Sequence, residues 1–302
     1  MKILYIGVHF FKNENKWRTE TWIDLSFNNN NIQTIKIDYR NFLKDSTMNL
    51  LKKIIFEKSK DVDLIFIQRG ENLNPELFSE INIPIVFWST EPINLKNDVD
   101  LLLNSNIFSW VFLHTYSCLD RIKKEFPHLI NKSSVLHNAI PEELLKVNNS
   151  NNKKYFAIFN RSLSLRRRFW LYQNLKYIKI IKGNYGDLYY KNLSDSLISV
   201  NIHFSSKNLD DFETGIFEAM AQGCVVISEK LDSQTLKDLN MKKSIIEVSS
   251  PQELNQKLAY IKNNPDFLKK YITESNNVIY DNTWNQRTKQ LKNKFKEVLL
   301  SK

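Results

Sequence analysis

Three carboxylates, Asp210, Glu213 and Glu218, flank a lone glycine, Gly215, where a short helical pattern begins; Gly223 ends that pattern before the buried run Cys224–Ser228. A helix start with an open glycine presents backbone N–H groups to a phosphate. Glu218, one turn further in, is placed to accept hydrogen bonds from the vicinal hydroxyls of a sugar. The same carboxylates would also suit a helix dipole with no ligand at all, so both readings stand at this point. Upstream, Asn160 and Arg161 close an apolar run, and Arg166, Arg167 and Arg168 open the next helical stretch. Cations at a helix start oppose the dipole, which speaks against a plain solvated face. Fixed guanidinium groups at such a place stabilise negative charge on a bound group. His203 ends a strand just before the acidic loop, where it would donate to a phosphate or serve as an ordinary satisfied polar group. His9 follows Gly7 at the end of the first strand. Glu91 stands beside Pro92 as an acceptor contact, a base or a turn residue. His9 and Glu91 are the candidates for catalytic groups.

Other chemistries find less support. No Gly-x-Gly-x-x-Gly and no Gly-x-x-x-x-Gly-Lys occurs, so the dinucleotide fingerprint and the P-loop are absent. The five His are scattered without paired spacing. The two Asp-Val-Asp triplets, Asp61–Asp63 and Asp98–Asp100, begin elements instead of ending strands. No metal site is therefore expected.

The Asp210–Gly223 segment resembles the donor-binding motif of GT-B glycosyltransferases of the group-1 type and of their CgeB-like, spore-maturation-type branch. That motif is an acidic residue, seven others, Glu, then Ala-Met-Ala-x-Gly. Asp210 and Glu218 have this separation, and Glu218-Ala219-Met220-Ala221-Gln222-Gly223 matches, while Asp210 replaces Glu and Glu213 stands where Gly is usual. The resemblance implies that Glu218 binds the ribose of a nucleotide donor. Phe156–Arg161 with Arg166–Arg168 resembles the first strand of the C-terminal domain and its basic pair, which implies Arg161 and Arg167 on the donor pyrophosphate, with Arg166 and Arg168 as alternatives for the second. Leu136–Pro141 is similar to the hinge segment, with Ala139 for Gly. Phe66–Glu71 and Val86–Pro92 are similar to N-terminal-domain segments, Asn201 and His203 to an Asn-x-His, and Asp281–Trp284 with the helix after it to the closing helix. The implied protein has two Rossmann-like parallel-sheet domains facing a cleft. It moves a sugar from a nucleoside-diphosphate-sugar donor to a glycan, protein or other hydroxyl acceptor, with retention and without metal or cofactor. A non-catalytic nucleotide- or sugar-binding subunit and an epimerase are the alternatives on the same scaffold. Base selection is expected near Gly183-Asn184-Tyr185.

The elements agree with that architecture. Short β-branched runs alternate with amphipathic stretches, the signature of parallel sheets covered by helices. Strands are expected over 2–7, 34–37, 63–68, 85–88, 110–113 and 134–136, then over 155–159, 178–181, 197–204, 224–228 and 245–248. Helices are expected over 17–26, 48–58, 75–81, 98–103 and 117–126, then over 167–177, 215–222, from Pro251, and from Pro265 to Leu300. A polar break at 147–154 joins the halves. The expected domains are 1–145 on the acceptor side, 146–280 on the donor side, and a helix over 281–302 that crosses back.

Composition sets the outer bounds. The 302 residues are 42% hydrophobic and 25% charged, which excludes disordered and fibrous classes. No apolar run approaches the ~20 residues of a membrane span, and the apolar start reads as a buried strand, not a signal peptide. Two distant cysteines in apolar surroundings point to a reducing cytoplasm. The net charge, 43 − 33 = +10, admits an anionic partner: nucleotide phosphates, nucleic acid or an acidic membrane face in peripheral contact. No nucleic-acid module signature appears, and joint richness in Lys, Asn and Ile fits a genomic composition bias.

Overall fold

The computed structural model describes residues 1–9, 18–146, 153–182, 186–205 and 212–301. The chain divides into two compact units, Met1–Asn138 with Trp284–Lys302, and Ala139–Thr283. The divisions fall seven residues before and three residues after the joints expected from the sequence.

The first unit carries six parallel strands: β1 (Lys2–Gly7), β2 (Gln33–Asp38), β3 (Leu64–Gln68), β4 (Ile85–Ser89), β5 (Trp110–Leu113) and β6 (Ser133–Val135). They lie in the order β2-β1-β3-β4-β5-β6. Strands β3 and β4 are buried at every position, as central parallel strands must be when helices cover both faces. The helices are α1 (Thr19–Asn29), α2 (Asp45–Ser59), α3 (Asp100–Leu103) and α4 (Tyr116–Glu125). One face of the sheet packs Ile65, Ile67 and Phe87 against Leu51 and Ile55 of α2.

The second unit carries β7 (Tyr155–Phe159), α5 (Leu165–Tyr172), β8 (Ile178–Ile180), α6 (Gly186–Ser194), β9 (Ser196–Asn201), α7 (Gly215–Ala221), β10 (Val225–Glu229), α8 (Ser233–Asp238), β11 (Ile245–Val248), α9 (Pro251–Asn263) and α10 (Lys269–Asp281). Its five parallel strands lie in the order β11-β10-β9-β7-β8. Its core joins Phe159, Ile198, Val200 and Ile227 to Leu254, Leu258 and Ile261 of α9. The start of α9 shows why it forms there: Pro251 occupies the first turn, Ser250 Oγ accepts from Glu253 N at 3.1 Å, and Glu253 returns to Ser249 N at 2.8 Å. The final helix, α11 (Trp284–Leu300), belongs to the first unit. Its Phe295 meets Phe27 and Phe66, and its Trp284 meets Trp88 edge-on at 5.8 Å.

Several elements differ from their sequence expectation. The helix expected over 167–177 stops at Tyr172, where Asn174 Nδ2 donates to Trp170 O at 2.9 Å, a carbonyl of the last turn, and ties the chain to Pro251 O of α9 at 3.2 Å. The expected run from Pro265 to Leu300 breaks at Asn282 and Thr283, where Asn282 Nδ2 takes Val278 O at 2.7 Å and the chain bridges to Ile140. Strand β9 ends at Asn201, three residues early, which leaves Ile202, His203 and Phe204 as a loop. The segment 75–81 forms one 3-10 turn over Pro75–Phe78, and α6 and α8 have no counterpart in the sequence reading.

Candidate functional site

Strand order locates a crevice in each sheet before any side chain is considered. In the second unit β7 connects to β8 on one side and then to β9 on the other, so the loops leaving β7 and β9 diverge at a topological switch point. Ligands of open α/β sheets bind at that place, outside the carboxyl ends of the strands. Asn160 and Arg161 leave β7 there, and Ile202 and His203 leave β9.

Arg161 is the centre of this crevice. Its side chain is 9% exposed and pairs with Glu213 through Nη1. Its Nε and Nη2 are buried and have no acceptor among the described residues, and Asn160 Nδ2 beside it has none either. A buried donor without a partner costs about 1–3 kcal/mol, more on a charged group. Such an arrangement persists where a ligand supplies the missing acceptors. Gly215 makes the placement possible. A Cβ there would stand 2.5 Å from Arg161 Nη2 and 2.8 Å from its Cζ. The glycine therefore admits the guanidinium, a task its position at a helix start did not reveal.

Arg167 reaches the same carboxylate. Its Nη2 donates to Glu213 Oε1 at 2.6 Å, its Nε to Ile202 O at 2.7 Å, and its Nη1 to Ser162 O at 2.9 Å. The guanidinium lies 5.6 Å from the Phe159 ring and 5.3 Å from that of Phe204. Burial, and then the neighbouring Arg161 charge, pull Arg167 below its ordinary value. Burial also works against Arg161, but Glu213, Tyr189 and Glu218 outweigh it and raise that guanidinium. For Glu213 burial is outweighed by the two arginines, which hold its carboxyl low. One carboxylate between two guanidinium groups leaves that trio at +1, with the Glu218 carboxylate close enough to act on Arg161.

The third arginine turns elsewhere. Arg166 forks onto Glu229, with Nη1 at 2.7 Å from Oε2, and gives Nη1 to His203 O at 3.0 Å. Glu229 also accepts from His203 N at 3.1 Å. His203 is 1% exposed and its Nε2 lies 2.7 Å from Lys230 O. A carbonyl can only accept, so Nε2 carries the proton and the buried Nδ1 has no partner among the described residues.

Glu218, one turn into α7, accepts from Tyr189 Oη at 2.9 Å and from Tyr190 Oη at 3.1 Å. Burial first, then the Glu218 charge, raise both phenols. The two tyrosines come from α6, which the sequence reading did not place; Gly186-Asp187 before an apolar run was the signal on offer. Asp210 and Gly183-Asn184-Tyr185 lie outside the described residues.

The two candidate catalytic residues belong to the first unit. Its switch point lies between β1 and β3, and His9 follows β1 there. His9 is 8% exposed and packs edge-on against Tyr5 at 4.5 Å, with Nε2 buried and unpartnered among the described residues. Burial lowers it to about 4, against the pull of Asp24. The ring is a neutral acceptor at pH 7. Glu91 lies beyond β4 and pairs with Arg69 Nη2 at 2.9 Å. Arg69 is the residue sequence reasoning missed. It adopts φ 70°, a left-handed conformation that costs about 1–2 kcal/mol outside glycine. Three carboxylates repay it: Glu91, Glu71 at 2.9 Å and Glu20 at 3.6 Å. Glu71 also takes the Tyr39 hydroxyl, and it falls below the usual carboxylate range although burial opposes this. Among the described residues no group of three or more His, Cys, Asp or Glu is arranged to hold a metal ion. In the two Asp-Val-Asp triplets, Asp63 accepts from Lys2 N and Asp100 pairs with Arg121.

Two parallel α/β sheets with this strand order define the GT-B class of glycosyltransferase folds. The whole chain superposes on members of that class. A glycosyltransferase from Rickettsia africae matches with a TM-score of 0.69 at 14% identity over 99% of this chain and 98% of the other. HepE of Anabaena, solved with UDP, matches with a TM-score of 0.68 at 12% identity over 98% and 100%. Sucrose-phosphate synthase from Thermosynechococcus elongatus matches with 0.66 at 10% identity over the full length of both. In sequence, residues 152–293 match the family described as Glycosyl transferase-like. No curated protein matches the chain in sequence.

Proposed function

We propose that this protein is a glycosyltransferase of the CgeB-like branch that acts in the cytoplasm and moves a sugar from a nucleoside-diphosphate-sugar donor to a hydroxyl acceptor. One observation carries the reading: a buried arginine, Arg161, at the switch point of a parallel sheet, with two nitrogens that have no partner among the described residues. A diphosphate supplies the oxygens those nitrogens lack. Arg161 and Arg167 then hold the leaving group, and their contacts strengthen as the glycosidic bond breaks. These fixed cations take the part of a metal ion, so transfer proceeds without one; retention is what the resemblance to group-1 transferases implies. Glu218 takes the ribose hydroxyls. The acceptor, a glycan or protein hydroxyl, meets His9 and Glu91, the two candidate catalytic groups of the first unit. HepE was also solved with UDP-glucose, which supports a nucleotide sugar as the donor class.

The test is a thermal-shift panel of UDP-, GDP-, dTDP- and CDP-sugars, repeated in excess chelator. A nucleotide at 100 times its dissociation constant adds about 2.7 kcal/mol of stability, and one member of the panel should produce that shift with or without chelator. No shift from any of them would remove the reading. Glu218→Ala should weaken the bound nucleotide by roughly 1.5–3 kcal/mol, the range for hydrogen bonds to a charged group; unchanged affinity in the folded variant would place the ribose elsewhere.

A further inference from the structure

The positive charge of this chain is concentrated in one stretch. From residue 144 to residue 186 there is no Asp or Glu, and ten Lys and Arg occur. The whole chain carries 43 − 33 = +10, so the remaining residues balance at 33 − 33 = 0. A composition bias spread along the chain does not produce that pattern. Arg161, Arg166 and Arg167 turn inward onto Glu213 and Glu229. Arg168, Lys176, Lys179 and Lys182 are exposed.

The same stretch presents large apolar side chains to solvent. On α5, Leu165, Phe169 and Tyr172 follow i, i+4, i+7 spacing, one face of a helix, and are 85%, 61% and 79% exposed. Leu175, just past the helix, is 52% exposed. The opposite face of α5 is already spent, with Arg167, Trp170 and Leu171 buried in the unit. Beside the stripe lies a cavity of about 620 Å³ lined by Leu163, Leu171, Leu175 and Ile180 together with Arg168 and Lys182. Contiguous exposed apolar surface marks an interaction site, whereas single exposed residues do not.

Charge selects the occupant. A second copy docking by a two-fold axis would bring the same acid-free border against itself, and like charges across an interface are unfavourable. A nucleic acid would satisfy the cations and leave the apolar stripe in water. An anionic bilayer satisfies both: the apolar residues enter the headgroup–acyl boundary while Lys and Arg meet lipid phosphates. We propose that the solvent face of α5, with its border of Arg168, Lys176, Lys179 and Lys182, is a docking surface for an anionic lipid bilayer. This surface stands apart from the transfer reading and survives its failure.

Flotation of the full chain with vesicles decides the matter. Vesicles of phosphatidylcholine mixed with phosphatidylglycerol should recover the protein at least about tenfold better than phosphatidylcholine alone. Lys179→Ala with Lys182→Ala should lower that recovery roughly 25-fold, about fivefold for each basic residue. Phe169→Ser with Tyr172→Ser should lower it at least about tenfold through lost apolar burial. All four positions are exposed, and an unchanged unfolding midpoint together with an unchanged far-ultraviolet circular dichroism spectrum confirms that each variant is folded. Equal recovery on neutral and anionic vesicles, recovery on neither, or full recovery of the Phe169 and Tyr172 variant would overturn the proposal. A concentration-dependent dimer in sizing that the same variant abolishes would assign the stripe to a second copy instead.

Discussion

Arg161 carries more of the functional reading than any other side chain, because it is buried, charged and only partly paired. Replacing it by Ala removes a preorganised cation from the leaving-group side, and kcat should fall on the order of 10²-fold. Lys at 161 should recover part of this, since it keeps the charge and loses the fork. Near-normal turnover of Arg161→Ala at saturating donor would move the phosphate site elsewhere. Glu213 makes an opposite prediction. It occupies both arginines in the free protein, so a diphosphate must share or displace it. Glu213→Gln should bind nucleotide several-fold more tightly and unfold more easily, by roughly 3 kcal/mol, the low end for removing one partner of a buried pair, given a side chain 29% exposed. Calorimetric titration and urea unfolding read the two effects separately. Weaker binding together with lower stability would make Glu213 a scaffold for the arginines and not a competitor. In the sequence Glu213 was visible only as a carboxylate where the resembling motif has glycine. Its two partners come from β7 and α5, more than 45 residues away.

At the scale of elements, the site depends on how close α7 comes to the end of β7. Gly215 opens α7, and a methyl group there would overlap the Arg161 guanidinium. Gly215→Ala should therefore displace the guanidinium, weaken nucleotide binding and lower kcat nearly as far as Arg161→Ala does. The helix itself should persist, because Ala is the better helix former by up to about 1 kcal/mol. A variant with unaltered binding would show that the guanidinium has room to shift. Strand alternation made β7, β9 and β10 legible, since an apolar run bounded by polar residues leaves few other options. Helix α6 was hard to read: its apolar run Leu188-Tyr189-Tyr190 is short, and its buried residues, Tyr190, Asn192 and Leu193, include a polar one. The end of α5 was misplaced: just past it, Asn174 bonds to Pro251 O, 77 residues away.

For the molecule as a whole, acid should act on stability through His9. Its folded value near 4 lies below the ordinary 6.5, so the unfolded chain binds the extra proton between those pH values. Stability contributed by the neutral ring is complete above about 6.5 and is lost as pH falls toward 4, with a total of roughly 3 kcal/mol. Urea unfolding at pH 7 and pH 4.5 should show this loss in the parent chain and a clearly smaller one in His9→Asn. Equal losses in the two would mean that His9 is not held neutral by burial.

Alternation of apolar runs with helical patterns determined two parallel α/β sheets from the sequence, because that periodicity has few ways to bury itself. The resemblance carried by Asp210, Glu218 and Gly223, with Arg161 and Arg167 upstream, marked the candidate donor residues. The pairings were decided in three dimensions. Arg166, Arg167 and Arg168 are neighbours in sequence and indistinguishable in type, yet one forks onto Glu229, one joins Arg161 at Glu213 and one stays in water. A helix turns each successive side chain by about 100°, so adjacent arginines face different partners, and those partners arrive from strands and loops that only the folded sheet brings within reach.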